Sequence, residues 1–188
     1  EPAREGGDAI AGRLPSRIAA LPAAPGDAID WASAAAAFER EATALGPRPA
    51  SAQLLYEVGR IYDERLGDPA VALEYHRRAL SLDAAFVPNL RACRRLAMER
   101  GDDALAAEVL DAEASIAPTQ EARSEILLLR GRLLAGLGRE QESRAVLERA
   151  VACAPASFAS AEESARAAAA ATDREALAEA YARCARAA

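Results

Sequence analysis

The side chains best suited to chemistry in this sequence are few and lie far apart. His76 is the only histidine, and the sequence contains no nucleophile–base pairing, phosphate-binding loop or metal-ligand spacing. We expect His76 to be buried at a helix interface, and Cys93 and Cys184 to be small core residues. The sequence therefore predicts a chain that is not an enzyme and that uses neither a cofactor nor a metal.

The charge and the cysteine content narrow the remaining classes of function and the compartment. All 23 basic side chains are arginine, and the net charge is −6. An acidic chain without a basic tract is a poor candidate for nucleic acid or an anionic membrane, and no apolar run is long enough to span a bilayer. The odd number of cysteines argues against a disulfide framework and favours a cytoplasmic protein. A periplasmic or processed form stays open because the chain begins at Glu1 without a methionine.

A repeat runs along the chain. Four positions that suit turns are separated by 34, 37 and 34 residues, namely Gly67, Gly101, Gly138 and Thr172. A second set keeps the same spacing, namely Ala79, Glu113, Ala150 and Cys184. A period near 34 residues is typical of a helical-repeat array, and no segment alternates as a strand would. The predicted fold is all-α: a right-handed helical-repeat solenoid of about four helix–turn–helix units plus an N-terminal packing helix.

Glycine, proline and capping residues predict the limits of these elements. Residues 1–26 are expected to be mostly irregular, with one short helix around Ser16–Leu21. A packing helix should run from an N-cap at Asp27 to Leu45, where Gly46 ends it. The repeat domain is predicted to span 27–188, with units at about 51–84, 85–118, 119–155 and 156–188. Its helices are predicted at 51–66, 69–82, 87–100, 103–115, 119–136, 140–152, 157–171 and 174–186. The three extra residues of the third unit should lie in a loop or extend a helix near Pro118–Glu121.

These units resemble the tetratricopeptide repeat from residue 51 to the C-terminus. The first unit carries the expected pattern of large and small residues at Leu55, Gly59, Tyr62, Ala72, His76 and Ala79, and the third at Leu127, Gly131, Leu134, Ser143, Leu147 and Ala150. The second unit departs from the pattern with Arg94 in place of glycine and Glu113 in place of a small residue. The fourth departs with Leu177 in place of the packing alanine. The resemblance implies a scaffold that binds another protein or a peptide rather than a catalyst.

In this family the residue after the first-helix glycine position faces a concave groove. Here that position holds arginine in every unit, namely Arg60, Arg95, Arg132 and Arg166. The same groove is expected to include Gln53, Tyr56, Arg91, Met98 and Leu128. Arginine suits a carboxylate because its planar fork donates two parallel hydrogen bonds. We expect Arg91, Arg95 and Arg132 to converge on one carboxylate of an acidic peptide.

Each of these residues has an alternative interpretation as ordinary surface or core. The arginines could simply solvate their helices, since Glu64, Glu99 and Glu162 lie four residues from Arg60, Arg95 and Arg166, whereas Arg132 has no such partner. Tyr56 could pack against the 27–45 helix. Trp31 and Phe38 are expected to seal the N-terminal end of the array.

The leading hypothesis is a protein-interaction scaffold that binds a peptide segment, acidic peptides being one candidate class, in the groove. Two alternatives stay open. The first is a structural spacer in a longer repeat protein or a self-associating assembly, favoured by an apolar C-terminal face at Leu177, Tyr181 and Cys184. The second is a regulatory module of a larger enzyme.

Overall fold

A computed structural model describes residues 29–170 and 174–187 of the chain. Over these residues the fold consists of helices, and no strand occurs among them. The helices are α1 (Trp31–Leu45), α2 (Pro49–Glu64), α3 (Pro69–Leu82), α4 (Val87–Glu99), α5 (Asp103–Ser115), α6 (Gln120–Gly136), α7 (Glu140–Cys153), α8 (Phe158–Ala170) and α9 (Arg174–Ala187). The predicted fold class, an all-α repeat of helix–turn–helix units preceded by a packing helix, is confirmed.

The predicted turn glycines end the first helix of successive units. Gly67, Gly101 and Gly138 have φ values of 67°, 71° and 72°, in the left-handed region that glycine adopts without strain. The residue after Gly67 and after Gly101 is an aspartate that caps the next helix. Asp68 Oδ1 accepts a hydrogen bond from the Val71 amide at 3.0 Å, and Asp102 Oδ1 accepts one from the Leu105 amide at 3.1 Å. The predicted fourth turn at Thr172 lies outside the described residues.

Helix limits differ from prediction mainly at the first two helices. α1 starts at Trp31 with Asp30 as its N-cap, accepting from the Ser33 amide at 3.1 Å; the predicted cap Asp27 and the helix around Ser16–Leu21 lie outside the described residues. α2 starts two residues earlier than predicted because Pro49 occupies its first turn, where a missing amide hydrogen costs nothing. The extra residues of the third unit extend a helix, since α6 has 17 residues and α4 has 13.

The chain divides into two compact units between Asn89 and Leu90. In the first unit, α1 packs on α2 and α2 on α3, around a core that includes Phe38, Leu55 and Val58. Phe38 belongs to this core, and Trp31 is partly buried against it. The predicted domain and unit limits stay predictions.

In the second compact unit, the helices from α5 onward pack in sequence, and α8 also contacts α6. Leu127, Leu134 and Ala150 form part of its core. α6 is therefore covered by more than one neighbouring helix, which matters for the side chains that it can present to solvent.

Glycine on the first helix makes room for a large residue on the second. A Cβ atom added to Gly59 would lie 2.7 Å from His76 Cε1, and one added to Gly131 would lie 2.5 Å from Leu147 Cδ2. Both distances are too short for atoms that are not bonded. The two glycines therefore allow the paired helices to approach closely.

In the unit between these two, an ion pair replaces the glycine of the first helix and a small residue of the second helix. Arg94 replaces the glycine, and its Nε donates to Glu113 Oε1 at 3.1 Å. The Glu113 side chain is 10% exposed and that of Arg94 is 31% exposed. The two departures from the repeat pattern thus compensate each other across α4 and α5, which explains how both are accommodated.

Candidate functional site

Two arginines of successive first helices meet at a single buried carboxylate. Arg132 of α6 donates to Glu163 Oε2 of α8 from Nε at 3.2 Å and from Nη2 at 3.0 Å. Arg166 donates from Nη1 to the same oxygen at 3.2 Å. The Glu163 side chain is 7% exposed, whereas those of Arg132 and Arg166 are 48% and 57% exposed. Glu163 therefore holds two half-exposed guanidinium groups side by side.

This arrangement corrects the prediction for Arg132. The sequence offered no partner four residues away, and we expected its guanidinium to be left for a ligand. The partner instead comes from the next first helix, 31 residues later in the chain.

The local pairs predicted for the other arginines are confirmed. Arg95 Nη1 lies 3.0 Å from Glu99 Oε1, and Arg166 Nη2 lies 3.1 Å from Glu162 Oε1. Such exposed pairs contribute a few tenths of a kcal/mol each. Among the described residues, Arg91 of α4 is exposed and makes no ion pair. The predicted convergence of Arg91, Arg95 and Arg132 stays a prediction.

In the first compact unit, Arg60 is shared by two carboxylates. It lies 3.2 Å from Glu64, as predicted, and 3.3 Å from Glu57. Burial raises the pKa of Glu57 above its ordinary value, and the nearby Arg60 acts in the opposite direction. The Arg60 guanidinium also lies 6.0 Å from the centre of the Tyr56 ring. Arg60 is thus fully engaged within its own helix.

The remaining groove residues divide between surface and core. Met98 is 40% exposed on α4, and Gln53 is half-buried on α2. Leu128, which we expected on the groove wall, is 4% exposed and belongs to the core of the second compact unit. That prediction is wrong because α6 buries more than one face. Tyr56 is half-buried.

Tyr56 belongs to an aromatic cluster around His76. Its ring centre lies 5.5 Å from that of His76 and 5.2 Å from that of Phe86, the latter at an interplanar angle of 77°. Burial raises the pKa of its hydroxyl. Tyr56 therefore contributes to packing between α2, α3 and the turn that follows α3, as well as to the surface.

His76 is buried, as predicted, and its hydrogen bonds fix its orientation. Asn89 Nδ2 donates to the His76 backbone carbonyl at 2.9 Å, so Asn89 Oδ1 must be the atom that faces His76 Nδ1, also at 2.9 Å. Because an amide oxygen only accepts, Nδ1 carries the proton. The pair joins α3 to the start of α4 and has the character of a structural contact.

Over the described ranges, no group of histidine, cysteine, aspartate and glutamate side chains could hold a metal ion. The same residues contain no helix that is long and apolar enough to cross a membrane.

Sequence reasoning missed several polar contacts that join helices. Besides Glu163, these involve Arg130, which lies 2.7 Å from Asp111 and donates to the Ala107 carbonyl at 3.2 Å. Arg123 similarly donates to the Ala114 carbonyl near the end of α5 at 2.9 Å. The only local signal was the spacing of three residues between Glu163 and Arg166, which suits a helix pair.

Comparisons with known protein families and with solved structures find the same repeat and the same fold. Residues 52–86 and 124–157 match the family model of the tetratricopeptide repeat. No curated protein sequence matches the chain. A crystal structure of MamA is 14% identical, covers 82% of this chain and 86% of its own, and has a TM-score of 0.52. The structure of MamA 41-end from Desulfovibrio magneticus RS-1 is 18% identical, covers 98% and 97% of the two chains, and has a TM-score of 0.51.

The likeness to these structures shows a shared fold. The family matches fall on α2–α3 and α6–α7, the two hairpins whose glycines make room for a large side chain. The chain therefore carries tetratricopeptide repeats at residues 52–86 and 124–157, and it shares its fold with these structures.

Proposed function

We propose that this chain is a protein-interaction scaffold that binds a peptide segment along its first-helix face. This face is defined by Arg91, Arg95 and Met98 of α4, Arg132 of α6 and Arg166 of α8. Tetratricopeptide repeats are generally non-catalytic scaffolds for other proteins, and their presence supports the interaction role. Peptide binding and the position of the peptide are the proposal.

The observation that carries the proposal is the meeting of Arg132 and Arg166 at Glu163. Side chains at the same repeat position, on two successive first helices, share one carboxylate oxygen while remaining about half exposed, at 48% and 57%. Equivalent positions therefore lie on a common surface in this part of the chain. A surface of repeated, ordered side chains suits an extended or helical peptide.

The charges of the face favour an acidic peptide. Arg91 and Arg95 lie one turn apart, and Arg91 makes no ion pair among the described residues. A carboxylate of the peptide would relieve the repulsion between the two guanidinium groups and would gain charge-assisted hydrogen bonds. Met98, one further turn along α4 and 40% exposed, offers an adaptable apolar contact beside the charges.

Fluorescence anisotropy with two labelled peptides tests the proposal. One peptide alternates alanine and glutamate, and the other alternates alanine and glutamine. We expect tighter binding of the glutamate peptide, with a preference that falls as salt is added. Arg91→Glu should reduce that preference, whereas Arg149→Glu should not, because Arg149 is an exposed arginine on the second helix α7.

Equal binding of the two peptides by the unaltered chain would remove the acidic preference. Failure to bind either peptide, with intact helical content by circular dichroism, would count against the face as a binding surface. Equal losses in the Arg91→Glu and Arg149→Glu variants would show that net charge rather than the face determines binding.

A structural spacer is the second candidate, and one observation favours it. Tyr181 of α9 is 61% exposed, although the corresponding residues of the first two units, His76 and Leu110, are 0% and 1% exposed and Leu147 of the third is half-buried. An apolar ring at a repeat-packing position suits a further helix hairpin stacked on α9. Sedimentation equilibrium tests whether the chain self-associates through this face: Tyr181→Glu should then return it to a monomer, and an unchanged mass would exclude this contact.

A further inference from the structure

We infer that Glu163 is a positioning residue of the first-helix face, which orders Arg132 and Arg166 so that a carboxylate of a bound peptide meets two preset guanidinium groups. The inference rests on the proposed function and adds to it a residue that lies beneath the surface rather than on it. Glu163 is 7% exposed and would not itself be the residue that the peptide contacts.

The geometry that supports this role is the convergence of three donors on one atom. Arg132 Nε, Arg132 Nη2 and Arg166 Nη1 all donate to Glu163 Oε2, at 3.2, 3.0 and 3.2 Å. The guanidinium of Arg132 is therefore held through two donors on one of its edges, and that of Arg166 is tied to it through the same oxygen. Glu162 Oε1 fixes Arg166 from the other side at 3.1 Å.

Donors remain for a ligand after these bonds are made. Arg132 Nη1 and Arg166 Nε make no hydrogen bond to the residues that the structure describes. Both side chains are about half exposed, at 48% and 57%. A carboxylate that approaches from solvent can thus hydrogen-bond to guanidinium groups whose rotamers are already set. Binding then avoids most of the entropy loss of ordering two long side chains.

Glu163 also repels an acidic ligand, so its net effect depends on which term is larger. The repulsion acts across a half-exposed site, where salt at about 0.15 M screens charges over roughly 8 Å. The charge of Glu163 is also compensated by the three N–H groups from which it accepts hydrogen bonds. The ion pairs that order the two arginines are short and partly buried, so salt screens them much less, and we expect the ordering to dominate at physiological ionic strength.

Two neutral substitutions separate the two effects. Glu163→Gln keeps a side-chain oxygen that can accept from the arginines, whereas Glu163→Met fills the same buried space and accepts no comparable hydrogen bond. Both remove the same negative charge. If Glu163 acts by position, the preference for the alanine–glutamate peptide over the alanine–glutamine peptide should persist in Glu163→Gln. It should fall by about fivefold in Glu163→Met, the upper range for an exposed ion pair.

The measurement is the ratio of the two peptide affinities by fluorescence anisotropy, for the full chain. A partly unfolded variant loses binding to both peptides alike, so the ratio reports on the arginines rather than on stability. Glu148→Ala is the control. It removes an exposed carboxylate of the second helix α7 that forms no described ion pair with Arg132 or Arg166, and it should leave the ratio unchanged.

Each outcome decides the inference. An equal increase of the ratio in Glu163→Gln and Glu163→Met would show that Glu163 only competes with the ligand. An unchanged ratio in Glu163→Met would show that it does not position the arginines. A chain that prefers the glutamate peptide and responds to Arg91→Glu, but not to Glu163→Met, would keep the proposed function and overturn this inference alone. A chain without any preference would overturn both.

Discussion

Separating Arg94 from Glu113 tests whether two departures from the repeat pattern form one structural contact. Alanine at either position leaves the other charge without this partner, 3.1 Å away in the folded chain. The two side chains differ in what happens next. Arg94 is 31% exposed and can turn its guanidinium to water, whereas Glu113 is 10% exposed and stays largely buried.

The burial difference predicts unequal effects. Arg94→Ala strands a buried carboxylate and should lower the free energy of unfolding by about 3 kcal/mol, the lower end of the range for breaking a buried pair. Glu113→Ala loses mainly one hydrogen bond to a charged group and should cost about 1 kcal/mol. The double variant strands no charge and restores a small residue at both sites, so it should also cost only about 1 kcal/mol, which gives a coupling of roughly 3 kcal/mol.

Urea unfolding followed by circular dichroism measures all four species of this cycle. The exposed pair Arg95–Glu99 serves as a control, because it should couple by only a few tenths of a kcal/mol. A cost for Glu113→Ala equal to or larger than that for Arg94→Ala would refute the burial argument. Additive effects of the two substitutions would show that the 3.1 Å contact contributes nothing specific to stability.

Two further predictions concern stability. Gly131→Ala should lower the free energy of unfolding by about 1–3 kcal/mol, because its Cβ would overlap Leu147, whereas Gly136→Ala, with open space around it, should be neutral or stabilising in the same urea assay. The pKa of Glu39 is lowered mainly by the hydrogen bond from Arg78 and next by the one from Tyr75. The contribution of Glu39 to stability is therefore present above the ordinary glutamate pKa and is lost as the pH falls through the lowered value. Unfolding measured across this acid range should show a smaller pH dependence in Glu39→Gln, and an unchanged dependence would contradict the assignment.

The sequence could predict the elements that depend on local chemistry. The turns at Gly67, Gly101 and Gly138 follow from glycine's access to positive φ and from the capping residues beside them. Pairs such as Arg95–Glu99 follow from helix geometry alone. These features need only neighbours within one or two turns of the same segment, which a linear sequence displays.

The partner of Arg132 could not be predicted in this way. Glu163 lies on another helix, and the contact exists because α8 packs against α6 as well as against α7. The burial of Leu128 has the same origin, since a helix covered on several sides has no single apolar stripe. In both cases the repeat register assigned the residue to a face, and packing between successive repeats decided what that face contacts.

The internal pairing of the groove arginines changes what an acidic ligand can gain. Arg60, Arg95, Arg132 and Arg166 each have a carboxylate within 3.3 Å, and of the arginines predicted for the groove only Arg91 has none among the described residues. Except at Arg91, ligand charges must therefore join existing networks, and there they are expected to set register and specificity more than affinity. Apolar contacts beside the charges, such as that of Met98, are expected to add to the affinity. A peptide suited to this chain would therefore combine carboxylates at the spacing of the ordered arginines with an apolar side chain next to them.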